Sequence, residues 1–132
     1  MYEPIRTKSV HTSAGDADFP HRSREDELDI QLAGHLAALL AVTDELGLAA
    51  MGDRIAGQVA RLRSAPPARH AGRSDASPAA LHRRAHALAG RALVVAASRA
   101  DTAVAILAAE AMDAHAEALS ATAAPTALVG AP

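Results

Sequence analysis

The stretch ALVVAASRADTAVAI, Ala92 to Ile106, decides whether this chain makes four helices or three. No Gly or Pro occurs between Gly90 and Pro125, so one helix from 78 to about 122 is open on local chemistry alone, and it would have to pair with a second chain. Hydrophobic phase argues otherwise. At 100° per residue, Leu81, Ala85, Leu88, Ala92, Val95 and Ala96 form one stripe, and Arg99 falls in its centre. The next stripe, Val104, Leu107, Ala108, Ala111, Met112, His115 and Leu119, is rotated from it by about 140°. One straight helix cannot bury both against the same neighbour. The sequence therefore predicts a tight turn at Ser98-Arg99-Ala100-Asp101, with Ser98 or Asp101 capping the helix that follows.

Working outward, Ser77-Pro78 gives the preceding helix a hydroxyl N-cap and a proline at the first helical position. The segment SAPPARHAGRSD before it carries Pro66-Pro67 and Gly72, which is loop chemistry. Upstream, Ser23-Arg-Glu-Asp resembles a capping box and opens a stripe of Leu28, Leu32, His35, Leu36, Leu39, Val42 and Leu46. Gly47 stops it, and Leu48, Met51, Ile55, Val59 and Leu62 continue out of phase. The predicted helices span about 24–46, 48–63, 78–98 and 101–122, with a loop over 64–77, in a single domain covering 23–123. Residues 1–22 read as a flexible arm, whose Tyr2, Ile5, Val10 and Phe19 suit docking on a partner protein, and 124–132 as a flexible tail. The expected fold is all-α, an up-down-up-down four-helix bundle.

Composition agrees. The 132 residues include 36 alanines, and the only aromatics are Tyr2 and Phe19, a mixture suited to closely packed helices and poor for a sheet. The absence of cysteine excludes disulfides, thiolate metal sites and thiol catalysis. No apolar run reaches membrane-spanning length and no signal-peptide core is present, so a cytoplasmic protein without membrane contact is expected. The net charge of −2 divides into −6 over 1–53, +8 over 54–99 and −4 over 100–132. A basic middle segment could grip an anion such as nucleic acid, but no aromatic residue lies among the arginines to stack on bases. Basic helices lying beside acidic ones, in a bundle or a dimer, is the preferred reading.

Seven histidines are the remaining chemical resource. His82-x-x-x-His86 places two imidazoles on one flank of a helix, and a hairpin turning near residue 100 brings His115 level with them. If the first and third helices run parallel, His35 joins the same layer. This set, His82, His86, His115 and His35, is the candidate site for zinc, another imidazole-preferring metal or a small anion. No Glu-x-x-His or His-Glu-x-x-His motif supports it, and the bland alternative is four histidines in structural roles. Catalysis has less support: Ser98, Thr102 and Ser120 have no convincing base, and Gly52, Gly57 and Gly90 lie in helical patterns, where they read as close-approach points between helices. Leu93, Val94 and Ile106 point outward at one end of the hairpin and mark a candidate interface. The expected function is a non-enzymatic, self-associating interaction module without a cofactor, with a histidine-based ligand site or an accessory subunit of a larger complex as the alternatives.

Overall fold

A computed structural model describes residues 23–70, 72 and 74–130, so the N-terminal arm with Tyr2, Ile5, Val10 and Phe19 lies outside the described residues. The protein is all-α, with α1 Arg24–Glu45, α2 Ala49–Arg63, α3 Pro78–Arg99 and α4 Thr102–Gly130. Ser23 Oγ accepts the Asp26 amide at 3.1 Å while Glu25, Asp26 and Glu27 meet the positive end of the α1 dipole. Gly47, at φ +76°, closes α1. Ser77 Oγ caps α3 through the Ala80 amide.

The decisive stretch does turn, and it turns on one residue. Ala100 adopts the left-handed conformation at φ 58°, and the Asp101 amide returns to the Ala96 carbonyl at 2.8 Å. Asp101 is the cap, its Oδ1 accepting from the Val104 amide at 3.2 Å. Ser98 is not; its hydroxyl donates to the Val94 carbonyl. Arg99, too polar for the middle of a stripe, leaves the core to pair with Asp29 at 3.1 Å. At the far end, α4 continues to Gly130 where a helix ending near 122 and a tail from 124 were expected. Alanines at 121, 123, 124 and 127 sustain helix propensity in this segment.

Each short connection makes an up-down hairpin, α1–α2 and α3–α4, and the hairpins pack α1 against α3 with α2 lying along α4. The core comprises Leu32, Leu36, Leu39, Leu40, Val42, Ile55, Val59 and the inward faces of α3 and α4, where alanines 85, 89, 92, 96, 108 and 111 let the helices approach closely. Thr43 is fully buried within it, its hydroxyl donating to the Leu39 carbonyl. One direction differs from expectation. The Arg99–Asp29 pair joins the end of α3 to the start of α1, and Leu81 and His82 share a hollow with Leu46 and Gly47, so α1 and α3 run antiparallel rather than parallel. The cause is the 64–77 connection. After Ser64 it does not turn tightly but travels back along the bundle, so that α3 starts at the end where α2 started. Among the described residues no helix is long and apolar enough to cross a membrane.

Candidate functional site

The Ser77 cap and Pro78 fix where α3 begins, and this sets His82 one turn into the helix on the side facing α4. On α4, His115 occupies the core stripe and is 1% exposed. The two rings meet with centroids 5.1 Å apart and Nδ1 atoms 2.9 Å apart, so one Nδ1 donates a hydrogen bond to the other. His115 Nε2 is buried without a partner. In either tautomer that nitrogen is an unsatisfied buried donor or acceptor, at a cost of about 1–3 kcal/mol.

Burial pushes the His115 pKa below its ordinary 6.5, and positive charge on His82 or His86 pushes it the same way. His86 is therefore near enough to act electrostatically, although it makes no hydrogen bond with the pair. His35 is not brought to them. With α1 antiparallel to α3, it lies level with the Leu93 region, about 10 Å or more along the bundle from His82 at 1.5 Å per residue. Among the described residues, no group of three or more histidines and carboxylates is arranged to hold a metal ion. The histidine layer is thus a hydrogen-bonded pair, buried His115 with half-buried His82, and a third imidazole nearby.

Of the three residues expected to face outward, two are exposed and Leu93 is not. Val94 is 67% exposed and Ile106 53%, while Leu93 is half-buried and packs against the core. Beside Ile106 runs an apolar hollow of about 300 Å³ between the end of α3 and the start of α4, lined by Ala96, Ala97, Ala100, Thr102, Ala105 and Ala109, with Asp101 at its end.

Sequence reasoning missed a third feature, the fastening of the long connection. Arg69 reaches across to Asp44 with two hydrogen bonds, Nε to Oδ2 at 3.0 Å and Nη2 to Oδ1 at 2.9 Å, and to Asp53 with Nη1 at 3.1 Å. The His70 amide adds a fourth bond, to Asp44 Oδ2. Asp44, whose side chain is 5% exposed, is held well below the usual carboxylate pKa chiefly by the Arg69 hydrogen bonds, against the opposing effect of burial. Gly52 makes the clamp fit: a Cβ there would stand 2.7 Å from Arg69 Nη2 and 2.9 Å from Asp44 Oδ1. The expectation that the three helical glycines mark close helix approaches holds only for Gly90, which faces the Met112 methyl at 3.6 Å. Gly52 makes room for a guanidinium, and Gly57 faces open space. The available signal was a glycine in a helix-forming run with an aspartate on either side of it in space. Sequence spacing does not reveal that.

No protein-family model matches the chain, and neither a curated protein nor a solved structure matches it.

Proposed function

We propose that this protein is a non-enzymatic, self-associating helical interaction module that works through the outer face of its α3–α4 hairpin. One observation carries the reading: two large apolar side chains, Val94 and Ile106, stand more than half exposed on adjacent helices, and Ile106 borders an alanine-lined hollow. Isolated exposed hydrophobics are ordinary, but two at the same level of adjacent helices form a surface whose burial is favourable at about 25 cal/mol per Å². Solution mass tests it. Val94→Asp and Ile106→Asp should each reduce an oligomer to monomers with helicity retained, since neither side chain belongs to the core. An unchanged mass in both variants would refute the reading.

A second reading is favoured by His115 Nε2, a buried nitrogen with no partner, next to His82, which lines a hollow of about 640 Å³ bounded by Asp44–Gly47 and the segment leading into α3. A small ligand or an imidazole-preferring metal entering there would meet His82, with His115 hydrogen-bonded behind it. Native mass spectrometry with added zinc checks it: a stoichiometric adduct lost in His86→Gln/His115→Gln supports the site, and no adduct removes it.

A further inference from the structure

We infer that the partner seated on the α3–α4 face is a second copy related by a two-fold axis parallel to the hairpin, so that α3 of each copy lies on α4 of the other. The inference rests on the self-association proposed above and adds the geometry and the residues that select it.

The argument comes from charge left over after the monomer has folded. Arg83, Arg84 and Arg91 of α3 and Asp113 and Glu117 of α4 are exposed and form no ion pair among the described residues, although Arg54, Arg61, Arg69 and Arg99 all do. Their placement is ordered. The helical repeat puts Asp113 on the outward stripe of Ile106, seven residues away, and Arg83 near the outward stripe of Val94. Arg84 and Arg91 project from the flank of α3 away from α4, and Glu110 from the flank of α4 away from α3, with Glu117 between Glu110 and the Ile106 stripe. The second flank is confirmed by Glu110, which bonds Arg54 of α2.

The hairpin fixes levels along the axis. His82 meets His115 and Gly90 meets Met112, so Val94 stands level with Ile106, and Arg83 and Arg84 stand level with the 113–117 turn. A two-fold axis parallel to the helices keeps every level and exchanges α3 for α4. Val94 then meets the partner's Ile106, and Ile106 the partner's Val94. Arg83 comes over the partner's Asp113 and Arg84 over the partner's Glu117, with axial offsets of about 3–5 Å that an arginine side chain spans. Arg91 falls beside the partner's Glu110. Every pair occurs twice, as an isologous contact requires. An axis across the helices instead lays α3 on α3 and α4 on α4, which leaves the arginines without acids opposite. Complementary charge thus chooses one of the two ways of covering the same apolar centre.

Because the chain contains no cysteine, the geometry can be read by cross-linking. Val94→Cys and Ile106→Cys are made as separate chains, mixed and oxidised, and a third chain with Gly57→Cys, on the exposed face of α2, serves as the control. Outward residues of helices packed 8–10 Å apart come within disulfide reach. The expected product is the mixed 94–106 dimer, formed in clear excess over 94–94, 106–106 and control species. A majority of 94–94 and 106–106 products overturns the axis while leaving self-association intact. Cross-linking no greater than the control, with a monomeric wild-type mass, overturns both. Charge gives an independent reading: R83E/R84E and D113R/E117R should each weaken self-association by at least about tenfold, and mixing the two should restore it as a heterodimer. Failure of the mixture to associate, with both variants helical, would overturn the pairing.

Discussion

Gly52 and Gly57 lie five residues apart on α2, and alanine should be less favourable at the first than at the second. In a helix either change gains about 1 kcal/mol of propensity, because alanine loses less backbone entropy on folding than glycine. At Gly57 nothing lies within 4 Å of the new methyl, so Gly57→Ala should keep the gain, raising Tm by several degrees for a domain of this size. At Gly52 the methyl would occupy space held by Arg69 Nη2 and Asp44 Oδ1. The tips of these two flexible side chains must shift, which strains the paired bonds between Arg69 and Asp44 while the His70 amide stays on the Asp44 carboxylate. That strain offsets the propensity gain at Gly52 and has no counterpart at Gly57, so Gly52→Ala should be less stable than Gly57→Ala. Urea denaturation followed by circular dichroism gives the order. Trypsin supplies the mechanism, since Arg69 is a cleavage site shielded only while its side chain is clamped, and Gly52→Ala should be cut there faster than Gly57→Ala. Equal stabilisation by both alanines, with equal cleavage rates, would refute the clamp.

Two further outcomes follow from the hairpin. The pKa of His115 is depressed in the folded chain, so on acidification the unfolded chain takes up its proton first; stability is complete above pH 6.5 and falls below it, by up to about 1.4 kcal/mol per pH unit, and His115→Leu should remove that slope in urea titrations at pH 7.5 and 5.5. An unchanged slope in the leucine variant would assign the acid sensitivity elsewhere. Ala100→Gly should stabilise the protein by up to about 1 kcal/mol, because the turn holds a non-glycine residue at φ 58°, and a thermal melt showing a loss would mean the methyl is doing packing that offsets its strain.

The parts of this fold that could be read in advance are those governed by local chemistry. Ser77-Pro78 announces α3 because one hydroxyl and one ring settle it, and the turn near residue 100 was visible because two stripes separated by a large rotation cannot share a core. No glycine marks that turn. Ala100 takes the left-handed position itself, so a rule based on turn residues would have missed it where hydrophobic phase did not. His82 and His115 could be paired for the same reason, since a short turn fixes the register of both arms. The relation between the two hairpins was another matter. The 64–77 segment is long enough to return either way, and where it returns it is fastened by Arg69 to Asp44 and Asp53, residues 25 and 16 positions distant, a contact that no local pattern announces. His35 was assigned to the histidine layer on the assumption of a parallel α1 and α3, and it left the layer when that direction reversed.

The same dependence bears on what the protein can do. A bundle whose α3–α4 interior is mostly alanine brings helices close but buries little apolar area per residue, so the work of holding the chain together moves outward to caps, to the Arg69 clamp and to pairs such as Arg61–Asp101 and Arg99–Asp29. Those contacts are spent on the α1–α2 side and at the turn. On the outer surface of α3–α4 only Glu110 is paired: among the described residues Arg83, Arg84, Arg91, Asp113 and Glu117 form no ion pair, and its two large apolar side chains stay in water. A monomer optimised for its own stability would have polar residues at Val94 and Ile106, at almost no structural cost, because neither contributes to the core. Keeping apolar groups at the centre of that face and opposite charges on its two helices makes physical sense for a surface that is covered when the protein works, and the charge pattern states which way round the cover sits.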